Sequence, residues 1–323
     1  LAGGQAFSED AKTEFASILL TSFVKDQFYR SGEDGLSRVR DLLELVPPEF
    51  AAKCAVYARD KFHMRSITHM VAGELAIRAK GTDWMRPFIR SVVERPDDML
   101  EILAYYQSHA SRRPIPNAMK RGLRDAIGKF NAYSLAKYRG EGQGIKLVDI
   151  VNLVHPKSSE KNADALSKLV KGELKSEDTW EAKMTQAGQK AESAEDKEKL
   201  KAEAWADLIN TKKIGYMALV RNLRNILQQN PKIIPQVCEL LVDPEKVKHS
   251  KMLPFRFATA RDELEKAAIS GTPPVLAALG QALDISVSNV PKLDGSTLVV
   301  VDCSGSMQGQ PIKIGSLFAA TLC

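Results

Sequence analysis

Apolar residues recur at three- and four-residue intervals along most of the chain, the spacing that puts one buried face on an α-helix. Phe15, Ile18, Leu19 and Phe23 make the first such stripe, with Ser8 as its cap and Glu9 and Asp10 at the positive end of the helix dipole. Val39, Leu42, Leu43 and Val46 make the second, which Pro47-Pro48 stops. Phe50, Cys54 and Tyr57 form the next stripe, and Ile67, Met70, Val71 and Leu75 the one after. The same spacing predicts helices over 83–94, 97–109, 117–131, 146–154, 180–210, 215–228, 233–241, 257–270 and 274–287. About a dozen helices joined by short Pro or Gly connections imply a mainly α fold, an α-solenoid of stacked helix pairs over residues 1–290. Ser158 to Lys201 stands apart: it is polar, with Lys-Glu and Glu-Asp runs, and reads as a solvated excursion rather than core.

One stretch breaks the helical pattern. Ser296 to Asp302 is a β-branched apolar run that ends on an acid and turns through Cys303-Ser304-Gly305-Ser306, after a linker over Pro291 to Asp294 and a turn at Asp294-Gly295. It predicts a buried strand that delivers oxygen ligands to a loop. Asp302 offers a carboxylate, and Ser304 and Ser306 offer hydroxyls, a donor set suited to Mg²⁺ with waters in its remaining positions. A serine-hydrolase reading fails, because the nucleophile elbow Gly-x-Ser-x-Gly is missing and Asp302 would repel a developing oxyanion. These residues resemble the Asp-x-Ser-x-Ser signature of the von Willebrand factor A domain, whose metal-ion-dependent adhesion site lies at a strand end of a doubly wound α/β sheet. The resemblance implies the start of such a domain over 291–323, with Ile312 to Leu322 as its first helix. One strand and one helix do not bury both faces of a parallel sheet, and Leu1 is not a methionine, so the natural protein is expected to supply the remaining sheet and the later Thr and Asp ligands.

Charge changes the picture through its placement. The 46 Lys and Arg exceed the 40 acids by only six. Between Ala110 and Lys146, however, stand Arg112, Arg113, Lys120, Arg121, Arg124, Lys129, Lys137, Arg139 and Lys146 against Asp125 and Glu141, which accounts for the whole surplus. A concentration of cations attracts polyanions, phosphate above all. Arg112 to Asn117 is an extended, proline-biased connector into a helix whose apolar face is Met119, Leu123 and Ile127 and whose other side carries Lys120, Arg121 and Arg124. A solvated basic face is the bland account of that helix. Lys137-Tyr138-Arg139, which interleaves an aromatic with cations, and His155-Pro156-Lys157, which closes the next helix, favour nucleic acid.

The helix from Lys120 to Ile127, the Lys137-Tyr138-Arg139 segment, Asp149 to Pro156, and Gly215 to Asn225 resemble the TROVE domain of the Ro 60 kDa autoantigen family. That family joins a ring of HEAT-like helical repeats to a C-terminal von Willebrand A domain. The resemblance implies a non-enzymatic ribonucleoprotein component: Y-like small RNAs bind the outer basic surface, single-stranded ends of misfolded RNAs enter the hole, and the role is RNA quality control. It puts Lys120, Arg121, Arg124, Lys137, Arg139 and His155 in the RNA-contacting region. It also implies a protein partner for the A domain, such as a ribonuclease. The competing reading is a scaffold whose A domain grips a partner carboxylate through Mg²⁺. A hydrolase lacks any activated nucleophile or paired acid and base.

The remaining features point to packing. Gly140-x-Gly142-x-Gly144 lacks the spacing of a dinucleotide fingerprint. His63, His69, His109 and His249 have no partner at ligand spacing, and Trp84, Trp180 and Trp205 are packing residues. In Gly215 to Asn225, Met217, Leu219 and Val220 are expected in the core and Arg221 and Arg224 toward the hole of the ring. Cys54, Cys238, Cys303 and Cys323 are widely separated, as expected of reduced thiols in a cytoplasmic protein. No apolar run approaches the roughly 20 residues of a membrane span, and no signal-peptide pattern opens the chain.

Overall fold

The computed structural model describes residues 10–21, 32–111, 113–175, 179–267, 269–290 and 295–322. Ser8, Glu9, Phe23, Arg112, the 291–294 linker and Cys323 lie outside the described residues. The chain divides into two compact units, Leu1–Ser176 and Glu177–Cys323. The first holds α1 (Ala11–Thr21), α2 (Gly32–Leu45), α3 (Pro48–Lys61), α4 (Ser66–Arg78), α5 (Met85–Val92), α6 (Pro96–His109), α7 (Asn117–Ile127), α8 (Ala132–Lys137), α9 (Leu147–Val154) and α10 (Ala163–Val170). The second holds α11 (Trp180–Lys190), α12 (Ala194–Asn210), α13 (Tyr216–Gln229), α14 (Ile234–Leu241), α15 (Pro244–Ser250), α16 (Pro254–Ala267), α17 (Thr272–Ser286) and α18 (Gln310–Leu322). The fold is the expected stack of helices. No helix among the described residues is long and apolar enough to cross a membrane.

In the first unit α3 packs on α4 and α5, α4 on α6, α5 on α7, α7 on α9, α9 on α10, and α10 on α8. The stripes of α1, α2 and α4 are buried as their spacing requires: Phe15, Ile18 and Leu19; Val39, Leu42, Leu43 and Val46; Ile67, Met70, Val71 and Leu75. Asp10 caps α1, accepting the Lys12 and Thr13 amides at 2.8 and 3.1 Å. In α3 the expected stripe is corrected. Tyr57 is exposed and Phe50 and Cys54 are half-buried, while Ala51, Ala52, Ala55 and Ala58 face the core. Small residues let α3 approach its neighbours closely, and that favours the alanine face over the bulkier one.

The same face buries Arg59, and this fixes an ionic centre that sequence spacing did not reveal. Asp98, fully buried in the first turn of α6, accepts from Arg59 at 2.8 Å, Arg65 at 2.8 Å, and the backbone amides of Glu94 and Arg95 at 2.9 Å. Arg65 also reaches Asp97 at 2.6 Å and Glu101 at 2.7 Å. His69 is buried, with Nδ1 2.7 Å from Glu101 and Nε2 3.2 Å from Asp98, the second an ion contact without hydrogen-bond alignment. Burial opposes charging of His69, but the Asp98 and Glu101 carboxylates outweigh it and raise its pKa. Burial likewise opposes ionisation of Asp98, yet His69, Arg65 and Arg59 hold it far below the carboxylate range. The centre ties α3, α4 and α6 together.

Three further expectations are corrected. The segment 158–201 is no loose excursion: it forms α10, α11 and the first part of α12, with Ala165, Leu166, Leu169 and Ala187 buried. The single helix expected over 180–210 is broken at 191–193, where the Ser193 hydroxyl caps α12 by accepting the Asp196 amide at 3.1 Å. Residues 296–303 form no strand among the described residues, and Leu298 and Val300 are 87% and 82% exposed. A strand needs a neighbour for its peptide groups, and the helices of the second unit offer none. Trp180 and Trp205 stack at 5.9 Å in that unit, as packing residues should.

Candidate nucleic-acid interface

α7 is rigidly seated, and its seat exposes its cations. Met119, Gly122, Leu123, Ala126 and Ile127 are buried. Gly122 is the closest point: a Cβ there would lie 2.6 Å from Ile89 Cβ and 2.8 Å from the Arg86 carbonyl oxygen of α5. With that side locked, Arg121 is exposed, Lys120 is half-buried and the Arg124 side chain is 39% exposed. Asp125, the acid among them, is held by Arg86 at 2.6 Å and lies 3.9 Å from Arg124. Lys120 and Arg121 have no ion-pair partner among the described residues, so their field is directed outward.

Not every cation of the basic segment is available. Lys129 donates to the Val93 carbonyl at 2.8 Å and to the Arg90 carbonyl, satisfying the C-terminal end of α5; burial, then Arg90, lowers its pKa. Arg139 donates to the Leu174 carbonyl and pairs with Glu141 at 2.9 Å, while its own carbonyl accepts the Leu147 amide at 2.9 Å. In this structure the Arg139 guanidinium, expected at a phosphate, is engaged within the chain and fastens the 139–147 loop to the segment after α10. Gly140 and Gly142, at φ 76° and 80°, are turn positions of that loop, not a nucleotide cradle. Lys137, in the last turn of α8, lies 5.9 and 5.8 Å from the Tyr133 and Tyr138 ring centroids and has no ion pair among the described residues. Tyr138 carries the Arg95 guanidinium 4.4 Å from its centroid.

His155 ends α9 in the left-handed region, φ 45° and ψ 67°, with its amide bonded to the Val151 carbonyl at 2.9 Å and its side chain exposed. The order of packing, α7 on α9, α9 on α10 and α10 on α8, gathers Lys120, Arg121, Arg124, Lys137 and His155 onto one unit. Sequence reasoning missed Asn152 and Lys171, which line an open cleft with His155. Asn152 stands one turn before His155, a signal that was there to read; Lys171 lay in the segment dismissed as solvated. In the second unit Arg221 and Arg224 are exposed on α13, and Met217 is exposed rather than core, with Leu219 and Val220 buried.

The oxygen donors of the C-terminal loop converge. The Ser304 amide donates to Asp302 Oδ1 at 2.8 Å, the Ser304 hydroxyl lies 3.1 Å from Asp302 Oδ2, and the Ser304 and Ser306 hydroxyls are 3.1 Å apart. One carboxylate and two hydroxyls on a single exposed turn fit a hard cation that keeps water as its other ligands. Among the described residues no group of three His, Cys, Asp or Glu side chains is placed to hold a metal ion.

Comparison with known proteins bears on both units. The chain is 24% identical over 347 aligned positions to telomerase protein component 1 of Rattus norvegicus and 23% identical to that of Mus musculus, matches that take in 80% of this chain. It spans only 13% of the length of those relatives. In fold it is similar to the crystal structure of the Deinococcus radiodurans Ro (RSR) protein, with a TM-score of 0.59 and 16% identity over 88% of this chain and 65% of that one. The TROVE domain matches residues 24–201 and 173–275, most of the sequence, and the chain belongs to the TROVE domain family.

Proposed function

We propose that the chain is an RNA-binding subunit of a ribonucleoprotein, without turnover of its own, that takes small structured Y-like noncoding RNAs and the single-stranded ends of misfolded RNAs in RNA quality control. The observation that carries the reading is the outward face of α7. Lys120 and Arg121 have no ion-pair partner among the described residues, and the close approach at Gly122 prevents the helix from turning them away. Lys137 and His155, in the same unit, add an aromatic-flanked cation and an exposed imidazole. Membership of the TROVE family agrees with it, and the telomerase relatives are by name components of a larger assembly.

The test is salt dependence. Each phosphate contact releases counterions, so affinity for a structured RNA should fall steeply with salt, and each contact removed should lower the log-log slope by roughly 0.7 to 0.9. The double change Arg121→Ala with Arg124→Ala spares the buried side of α7. A folded double variant with the parent's affinity and slope would show that the face is merely solvated. The convergence at Asp302 favours a second role beside the first: with the rest of an A-type domain, Asp302, Ser304 and Ser306 hold Mg²⁺, which when bound offers a docking point for an acidic side chain of a protein partner such as a ribonuclease.

A further inference from the structure

The cleft between the end of α9 and α10 has a volume of about 530 Å³ and is built before any ligand arrives. One wall is fixed by the left-handed turn at His155, which throws the chain off the axis of α9. The other is fixed by Asn162, buried at the start of α10. Its amide donates to the Phe130 and Ile127 carbonyls at 3.2 and 3.4 Å, and its oxygen accepts the Ser159 amide at 2.8 Å. The connection between the helices is thus pinned to the end of α7, the helix that carries the basic face.

The lining of this cleft has a definite chemistry. Val151, Leu166 and Val170 supply apolar surface, and Val170 stays 53% exposed. At the rim, the side chains of Asn152 and Ser167 have no hydrogen-bond partner among the described residues, and Lys171 has no ion pair there. None of the lining residues is acidic. An apolar slot with a free amide, a free hydroxyl and a cation matches a flat heteroaromatic ring with polar edges and an attached phosphate. A fully paired duplex does not offer that group, because its bases are stacked and their edges occupied. We propose that the α9–α10 cleft takes one unpaired nucleobase of the RNA, lying on Val151, Leu166 and Val170, with its edge met by Asn152 and Ser167 and its phosphate by Lys171. The proposal rests on the RNA-binding reading and sharpens it: the RNA taken up must present an unstacked nucleotide beside a structured segment.

The experiment compares two RNAs with the full chain: a hairpin carrying one bulged 2-aminopurine and the same hairpin without the bulge. The parent should prefer the bulged RNA by about 5- to 150-fold, the span of about 1 to 3 kcal/mol for stacking one base, and 2-aminopurine fluorescence should change on binding. Ser167→Trp fills the cleft from an exposed helical position and should abolish the preference while leaving the salt slope of the unbulged RNA unchanged. Val170→Asp, a second surface change, should abolish the preference as well, so a folding failure of either variant leaves the other to decide. Equal affinity of the parent for both RNAs overturns the proposal. So does a preference that survives in folded Ser167→Trp or Val170→Asp, the result expected if the cleft takes a protein side chain instead. Binding of neither RNA removes the underlying RNA-binding reading, and this proposal with it.

Discussion

Gly122→Ala and Gly35→Ala are the same chemical change in the same unit, and the structure gives them opposite signs. In a helix interior, alanine over glycine gains about 0.8 to 1 kcal/mol. A Cβ at Gly35, in α2, meets nothing within 4 Å, so that variant should keep the gain. A Cβ at Gly122 meets Ile89 Cβ at 2.6 Å, the Arg86 carbonyl oxygen at 2.8 Å and Ile89 Cγ2 at 2.9 Å. Carbon atoms prefer about 3.5 to 4.0 Å, so the shortfall approaches 1 Å. Rotamer changes bring no relief, because a carbonyl and a Cβ move only with the backbone of α5. The two helices must part, which costs about 1 to 3 kcal/mol. After the helical gain is subtracted, Gly122→Ala should lose about 0 to 2 kcal/mol and sit about 1 to 3 kcal/mol below Gly35→Ala. Hydrogen exchange resolved by peptide is the suitable assay, since a chain with two compact units need not unfold in one step. Amides of α5 and α7 should exchange faster in Gly122→Ala, and those of α2 slower in Gly35→Ala. Slower exchange of α5 and α7 in Gly122→Ala would refute the view that this contact holds the basic face in place.

The helices were legible because the 3.6-residue repeat is a property of the buried face itself. It placed α7, α9 and α13 within a residue or a few of their observed ends, and it identified Met119, Leu123 and Ile127 as the inner side of α7. It misled where two stripes compete, as in α3, since apolar bulk says nothing about how closely a neighbour approaches. It missed α8 and α15, six and seven residues long and too short for a periodic signal, and α10, whose buried Ala165, Leu166 and Leu169 stand in a segment of otherwise polar composition. In the candidate site, net charge was readable but commitment was not. Arg121 and Arg139 look alike in sequence; only the fold puts the Leu174 carbonyl and Glu141 against one and leaves the other without an ion pair among the described residues. His69 is the converse case. Spacing offered it no partner, and its partners come from α6, some thirty residues on.

The ionic centre makes the first unit pH-dependent from both sides. His69, raised above 6.5, contributes stability that is complete below that pH and is lost as pH rises through its folded value, while Asp98, held below 3.8, contributes stability present above that pH and lost in acid; exchange protection of α4 and α6 should therefore be greatest between about pH 4 and 6.5 and fall above it, and a flat profile would contradict the assignment. Asp98→Ala leaves the Arg59 charge buried with Glu94 at 3.4 Å as its remaining ion partner among the described residues and should cost about 3 to 5 kcal/mol, against about 0.5 kcal/mol or less for a typical surface change, read as urea sensitivity of those same helices. In a protein carrying the whole A-type domain, Asp302→Ala should abolish Mg²⁺ binding by calorimetry and leave RNA affinity intact; loss of both would tie together surfaces that lie in separate units. The final comparison separates the two kinds of cation in the basic segment. Lys137 is half-buried and has no ion pair among the described residues, so Lys137→Ala should change stability by less than about 0.5 kcal/mol and lower the RNA salt slope by roughly 0.7. Arg139 holds a carbonyl and a carboxylate with a side chain that is only 20% exposed, so Arg139→Ala should cost about 1.5 to 3 kcal/mol, speed exchange in the 139–147 loop, and leave the slope where it was. A folded Arg139→Ala protein whose slope falls as far as that of Lys137→Ala would mean that the guanidinium leaves the Leu174 carbonyl for a phosphate when RNA binds, and the division between structural and ligand-facing cations would then have to be redrawn.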